Sequence, residues 1–160
     1  NSLNIIQSNA GEMVNKLNDI VWLINPGQDS LRQLMERLED YAMQLAVIKN
    51  IHVRSGFSEQ LGNTILPTET RRSIYLLFKE AINNAVKYSN ASFVELKVEQ
   101  SPALVIITLK DNGEGFDVAE VKRGNGLNNM EQRARDLNAA IAIQSVKGAG
   151  TSVKLTVKIP

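Results

Sequence analysis

The chain has 160 residues, enough for one domain with an appended element and for a hydrophobic core that needs no disulfides. Its 18 Lys and Arg side chains nearly balance 17 Asp and Glu, and a net charge of +1 argues against binding to nucleic acid or an anionic membrane surface. The lack of cysteine and the single histidine exclude thiolate chemistry and most zinc sites, and no apolar run is long enough to span a membrane.

A heptad pattern predicts a helix over residues 1–25. Its apolar positions recur with gaps of three and four: Leu3, Ile6, Ala10, Met13, Leu17, Ile20 and Ile24. Such a seam is typical of a coiled-coil or bundle helix that dimerises, and an amphipathic helix packed on its own domain is the alternative. Because the periodicity is present from the first residue, we expect the chain to be a fragment of a longer protein.

A Pro-Gly pair ends this helix, and three further elements follow. Ser30 with Gln33 forms a capping-box signature that predicts a second helix to about residue 49. Alternating apolar residues predict a half-buried strand over 51–57, with His52 on its polar face, where we expect a surface position. Thr68 is predicted to cap a long helix that ends near residue 89.

The second half of the chain is predicted to be mostly strands. Segments 93–99 and 104–110 have the pattern of a hairpin. A helix over about 127–138 follows, and then two strands, 140–146 and 151–159, around a Gly-rich turn.

Four polar side chains interrupt the apolar pattern of the long helix: Glu80, Asn83, Asn84 and Lys87. At about 100° per residue, Glu80, Asn84 and Lys87 fall within an arc of roughly 60° beside the buried stripe. An amide oxygen can ligate Mg²⁺, an ammonium can contact a phosphate, and a carboxylate can orient or deprotonate a nucleophile. A solvated helix face with local hydrogen bonds is the alternative.

A turn sequence rich in polar residues and glycine follows the second hairpin strand. Asp111 ends that strand, and an Asp side chain only accepts hydrogen bonds, which suits an exocyclic amine such as that of adenine. Gly113 and Gly115 can let the backbone approach a ligand closely. An ordinary turn is the alternative for this segment.

Two more glycine pairs lie further along the chain. Gly124 and Gly126 open a helix, whose free N–H groups and dipole favour phosphate. Thr151 follows the last glycine pair and could offer a hydroxyl to a base or to water. The chain has no P-loop, no complete dinucleotide fingerprint and no protein-kinase signature, so phosphate would be bound in another way.

Four segments in this order resemble the N box and glycine boxes of the ATPase superfamily of DNA gyrase, heat-shock chaperones, mismatch-repair proteins and sensor histidine kinases. They are K-E-A-I-N-N-A-V-K-Y-S-N-A at 79–91, D-N-G-E-G-F at 111–116, G-N-G-L-N-N-M at 124–130 and G-A-G-T at 148–151. Within that superfamily the chain is most similar to sensor histidine kinases of the subfamily with nitrate and membrane-fluidity sensors. The short segment 117–124 implies a short ATP lid, and I-V-W-L-I-N-P at 20–26 resembles the junction that follows the dimerisation domain.

The resemblance implies roles for the residues that match the motifs. Asn84 would ligate Mg²⁺ rather than its neighbour Asn83, because the family places this asparagine four residues after the glutamate. Glu80 would act as base or orient the attacking group, and Lys87 would touch phosphate. The positions that would bind or shape the nucleotide site are Asp111, Gly113, Gly115, Gly124, Gly126, Leu127 and Thr151.

Three departures from the family pattern stand out. Tyr88 occupies a place where relatives often have histidine, and Asn125 stands where the lid often reads Gly-His-Gly. The phosphoacceptor histidine is missing, because His52 lies in the wrong context.

The expected fold is therefore a two-layer α/β sandwich with a mixed, mostly antiparallel sheet and helices on one face. Residues 1–27 would be the last helix of a dimerisation domain with its junction, and 28–160 the ATP-binding catalytic domain. This domain would transfer the γ-phosphoryl group of MgATP to a histidine outside the fragment, for relay to a response regulator. The implied partners are ATP, Mg²⁺, the histidine-bearing dimerisation domain and the regulator, with no nucleic acid.

The intact protein is expected to be a homodimer, with this domain in the cytoplasm, as in a membrane-anchored or a soluble sensor. A degenerate nucleotide-binding scaffold and a serine/threonine kinase of the anti-sigma-factor type are the alternatives.

Overall fold

The computed structural model of the protein describes residues 2–25, 27, 30–57, 61, 64–118 and 125–159. Within them the chain forms four helices and five strands close to the predicted positions. In chain order they are α1 (Ser2–Ile24), α2 (Leu31–Lys49), β1 (His52–Phe57), α3 (Thr68–Lys87), β2 (Phe93–Gln100), β3 (Leu104–Asp111), α4 (Asn125–Asp136), β4 (Ala140–Val146) and β5 (Gly150–Lys158).

The strands form one sheet in the order β1-β2-β3-β5-β4. Strands β1 and β2 are parallel and all other neighbours are antiparallel, which confirms the mixed, mostly antiparallel sheet. A parallel pair needs a long connection, and α3 lies in the connection between β1 and β2.

Helices α2 and α3 pack together and cover one face of the sheet. Alternate residues of the central strands are buried, as expected for a sheet with one covered face. The fully buried core includes Leu34, Leu38, Leu77, Phe78, Ile82, Leu96, Ile107 and Leu155. Among the described residues, none of the helices combines the length and the apolar composition of a membrane-spanning segment.

The helix ends confirm one predicted cap and correct another. Ser30 and Gln33 form the predicted capping box, with the Gln33 N–H donating to Ser30 Oγ at 3.2 Å and the Ser30 N–H to Gln33 Oε1 at 3.2 Å. Thr68 is not the cap of α3: it is the first helical residue, and Pro67 occupies the cap position without a side-chain hydrogen bond. The extended backbone of Pro67 ends where the helix begins, so the cap falls one residue earlier than predicted.

The heptad seam of α1 is exposed. Its large apolar residues are 55% to 67% exposed, and only Leu23 of this helix is buried. The helix therefore does not pack its apolar face on its own domain. It contacts α2 and α3 through the other side of its C-terminal half.

Asp19 anchors α1 to the rest of the chain. Its carboxylate accepts hydrogen bonds from Arg37 Nη2 at 2.8 Å, from the Tyr75 hydroxyl at 2.8 Å and from Lys79 Nζ at 2.7 Å. Next to this cluster, the Trp22 ring lies 5.6 Å from the Tyr75 ring, centroid to centroid. Burial alone would raise the pKa of Asp19, but the hydrogen bonds outweigh it and hold the pKa below the ordinary value of 3.8.

We predict that acid releases α1 from α2 and α3. Because the pKa of Asp19 is lower in the folded state than in the unfolded state, the ionised side chain stabilises the docked helix above pH 3.8. That stabilisation is lost as the pH falls through the lowered pKa. Asp19→Asn should weaken docking at neutral pH by about 1–3 kcal/mol, since the bonds to charged groups are lost.

The fluorescence of Trp22, the one tryptophan in the sequence, reports on docking. A red shift is expected in Asp19→Asn at neutral pH and in the wild type only in acid. Glu12→Gln, on the exposed part of the same helix, is the matched control and should behave as the wild type. An unchanged spectrum in Asp19→Asn would show that Asp19 does not hold the helix.

Candidate functional site

A cavity of about 390 Å³ opens between α3, α4 and the ends of β3, β4 and β5. Most of its wall is apolar, with a few polar side chains at its ends, as is typical of a site for a small organic ligand. The apolar wall includes Leu109, Phe116, Leu127, Met130, Ile143 and Val153. The polar side chains that line it include Glu80, Asn84, Asp111 and Thr151.

The two neighbouring asparagines of α3 point to different surroundings. Asn84 lines the cavity, and within the described part of the chain no group forms a hydrogen bond with its amide. Asn83 accepts a hydrogen bond from the Tyr41 hydroxyl at 2.8 Å, which ties α2 to α3. The structure thus places Asn84, and not Asn83, in the cavity, and ligation of Mg²⁺ by Asn84 stays a prediction.

Lys87 does not join Glu80 and Asn84 in the cavity. It is exposed and lines a second groove, between α1, α2 and α3, together with Tyr41, Lys79 and Asn83. Of the three side chains that we predicted to lie together at one pocket, only Glu80 and Asn84 do so. The helical angles place Lys87 on the side of Glu80 away from Asn84, and that side faces α2.

The first turn of α4 lies directly against Glu80. Gly126 is in this turn, and a Cβ atom at its position would collide with Glu80 Oε1. Leu127 lines the cavity beside it. The N-terminal end of a helix carries unpaired N–H groups and a partial positive charge, so an anionic group is favoured here. Gly124 and the side chain of Asn125 lie outside the described residues.

Asp111 lines the cavity at the end away from Glu80, because its turn packs through Gly113 on Ser89, just beyond the C-terminal end of α3. Its Oδ1 accepts the Gly113 N–H at 2.9 Å, and the backbone N–H of Thr151 also donates to the carboxylate. Burial raises the pKa of Asp111 above the ordinary value, although the two backbone hydrogen bonds partly offset this effect. A carboxylate with oxygen lone pairs left in a half-buried site is suited to accept a hydrogen bond from a ligand.

The two glycines after Asp111 have different tasks. Gly115 lines the cavity with a φ of +64°, and a Cβ atom there would collide with the Val146 carbonyl oxygen. Gly113 is buried against Ser89, whose Cβ would lie 2.5 Å from an added side chain, so it allows the turn to pack on the end of α3. Asn112 ties the turn to β2, because its side-chain oxygen accepts the N–H groups of Ser92 and Phe93.

Ser145 and Ile143 are site residues that the sequence patterns did not single out. Ile143 lines the cavity, and Ser145 contacts Thr151, with the two hydroxyl oxygens 2.7 Å apart. Both lie on the same face of β4, because strand side chains alternate between the two faces. The pairing of β4 with β5 would have been the signal, since Ser145 is the register partner of Thr151.

Comparisons with known proteins agree on one family. The family model described as "Histidine kinase-, DNA gyrase B-, and HSP90-like ATPase" matches residues 69–160, more than half of the chain. Two curated relatives come from Bacillus subtilis. The signal transduction histidine-protein kinase/phosphatase DegS is 35% identical over 91 residues, which are 54% of this chain and 24% of DegS. The sensor histidine kinase YdfH is 33% identical over 99 residues, which are 59% of this chain and 24% of YdfH. The chain thus spans about a quarter of the length of these relatives.

Two solved structures have the same fold at low sequence identity. The histidine kinase AdeS of Acinetobacter baumannii has a TM-score of 0.69 at 14% identity, covering 98% of this chain and 83% of that chain. The histidine kinase domain of a blue-light activated histidine kinase from Erythrobacter litoralis has a TM-score of 0.66 at 21% identity, covering 79% and 61%. These likenesses confirm the predicted fold. The family match over more than half of the chain shows that the chain belongs to the histidine kinase-, DNA gyrase B- and HSP90-like ATPase family.

Proposed function

We propose that this chain is the ATP-binding catalytic part of a two-component sensor histidine kinase. The observation that carries the proposal is one cavity with an acceptor-only carboxylate, Asp111, at one end and Glu80, Asn84 and the start of α4 at the other. A nucleotide needs both ends: an amine-binding group for the base and an anion-binding region for the phosphates. The relatives that match this chain are named as histidine kinases.

Adenine would lie between the apolar walls, with its exocyclic amine on Asp111 and Thr151 beside it. Gly113 and Gly115 would shape this end, because both sit where a side chain would collide with neighbouring atoms. The phosphates would lie toward α4, flanked by Gly124, Gly126 and Leu127. A phosphate contact by Lys87 stays a prediction, which its place in the second groove does not support.

The residues present at this end fit Mg²⁺. The Asn84 amide oxygen has no partner within the described residues, and Glu80 supplies a carboxylate one helical turn away. No group of three His, Cys, Asp or Glu side chains that could hold a metal occurs among the described residues. Mg²⁺ commonly takes one or two protein ligands and completes its shell with phosphate oxygens and water. When bound, the ion would offset the negative charge of the phosphates.

In the proposed reaction the γ-phosphoryl group moves from ATP to a histidine outside this chain. The bond from the γ-phosphorus to the bridging oxygen breaks, ADP leaves, and a bond to an imidazole nitrogen forms. Glu80 would accept a hydrogen bond from the other imidazole N–H and so orient the ring, or take up its proton. The phosphoryl group would then pass to an aspartate of a response regulator.

Residues 1–27 would belong to the dimerisation domain and 28–160 to the catalytic domain. The exposed seam of α1 is the surface on which a second copy would pack in a homodimer. The histidine-bearing part of the same protein and the response regulator are the proposed protein partners, in the cytoplasm. The narrower likeness to nitrate and membrane-fluidity sensors stays a prediction.

We predict that the chain binds a non-hydrolysable ATP analogue more tightly with Mg²⁺ than without it. Calorimetric titration under both conditions tests this directly. No binding at millimolar nucleotide would overturn the proposal and favour the degenerate scaffold. A phosphoryl group that stays on a partner protein in acid would identify phosphoserine. That result would favour a kinase of the anti-sigma-factor type.

A further inference from the structure

Ser145 lies behind Thr151, and Thr151 lines the cavity. The backbone N–H of Phe116 donates to Ser145 Oγ at 2.8 Å. Two oxygen atoms lie near the same hydroxyl: Thr151 Oγ1 at 2.7 Å and the Gly150 carbonyl oxygen at 3.4 Å. Ser145 is half-buried, so these three groups make up much of its polar surroundings.

The hydroxyl of Ser145 has one hydrogen. The oxygen that accepts this hydrogen decides whether the Thr151 hydroxyl can donate a hydrogen bond to a ligand. An O–H···O hydrogen bond is typically about 2.5–3.0 Å long, which favours Thr151 over the Gly150 carbonyl as the acceptor. If Ser145 donates to Thr151 Oγ1, the hydrogen of Thr151 stays available for another acceptor. If Ser145 donated to Gly150 instead, Thr151 would have to donate to Ser145 and could only accept from a ligand.

Asp111 and Thr151 together present a pattern to the base. They are register partners on β3 and β5, and the Thr151 N–H donates to the Asp111 carboxylate. The end of the cavity thus offers an acceptor, Asp111, beside a donor, the Thr151 hydroxyl. Adenine has an amine donor next to the acceptor N1, whereas guanine has a carbonyl acceptor next to the donor N1–H.

From this geometry we propose that Ser145 is a positioning residue for base selection: it orients the Thr151 hydroxyl as a donor and so favours adenine over guanine. The inference rests on the proposed nucleotide site and adds to it a residue outside the four segments that carry the resemblance. Ser145 acts through Thr151 and need not touch the nucleotide.

The test compares the affinities of non-hydrolysable ATP and GTP analogues by calorimetric titration. In Ser145→Ala we expect the affinity for the ATP analogue to fall about tenfold and that for the GTP analogue to change little, so the preference for adenine shrinks. Loss of the hydrogen bond from the Phe116 N–H would lower both affinities by the same factor. The ratio of the two affinities therefore does not contain this effect. Ser152→Ala is the matched control, because the neighbouring residue on β5 faces the other side of the sheet.

A double-variant cycle decides whether Ser145 acts through Thr151. In a Thr151→Val background the additional Ser145→Ala change should leave the ratio of the two affinities unchanged. An unchanged ratio in Ser145→Ala alone, or an equal shift with and without the Thr151 hydroxyl, would overturn the inference while ATP binding by the wild type still supports the proposed function. If the wild type binds neither analogue, both proposals fail.

Discussion

Replacement of Asp111 by asparagine is expected to weaken binding of a non-hydrolysable ATP analogue by about 100-fold. The carboxylate already accepts the N–H groups of Gly113 and Thr151, and it would accept the adenine amine as well. An asparagine side chain has one oxygen and one NH₂ group. In one orientation of the amide, its oxygen faces the backbone N–H groups and its NH₂ group faces the amine of the base. In the flipped orientation, its NH₂ group faces the backbone N–H groups.

Both orientations therefore bring two donors together in a half-buried site. Leaving such groups unpaired costs about 1–3 kcal/mol, and each 1.4 kcal/mol is about tenfold in affinity. Calorimetric titration measures the loss, and far-UV circular dichroism checks that the variant is folded. Asp136→Asn is the matched control, since this exposed carboxylate lies in the last turn of α4 and should not affect binding. Wild-type affinity in folded Asp111→Asn would remove Asp111 from the base-binding end.

The sequence predicted most elements to within a few residues because their periodicity is strong. The capping box at Ser30 and the alternation along β2 and β3 are local signals, and the structure confirms both. The predicted end of α4 near residue 138 is slightly late: the helix ends at Asp136, and Asn138 takes a left-handed backbone with φ of +51°. Asparagine adopts that conformation more readily than most residues, so its presence is a weak signal for the helix end.

Apart from these shifts of helix ends, the errors concern which neighbour a side chain contacts. Helical angles correctly place Glu80, Asn84 and Lys87 on one side of α3, but α2 and α4 divide that side into two grooves. The heptad seam of α1 was visible, whereas its docking through Asp19 was not, because a carboxylate on a polar helix face also suits solvent. Ser145 was missed because its position beside Thr151 depends on the register of β4 against β5.

Asn84→Ala is expected to abolish the effect of Mg²⁺ on nucleotide binding. If the amide oxygen of Asn84 ligates the ion, its removal leaves only Glu80 on α3 to hold it. The affinity for the ATP analogue with Mg²⁺ should fall to that measured without Mg²⁺, so the ratio of the two affinities becomes about one. Binding without Mg²⁺ should change little, because the base-binding end of the cavity is untouched.

Asn83→Ala is a matched control at the adjacent position. The two carboxamides are about 100° apart around the helix, and that angle directs Asn83 toward Tyr41 and Asn84 into the cavity. Loss of the Tyr41 bond should lower the free energy of unfolding by about 1 kcal/mol and leave the effect of Mg²⁺ intact. If Asn83→Ala removed the effect of Mg²⁺ and Asn84→Ala did not, the metal would lie in the groove beside Lys87. The phosphates would then have to reach out of the cavity toward α2, and the proposed assignment of Gly126 and Leu127 to the phosphate end would fail with it.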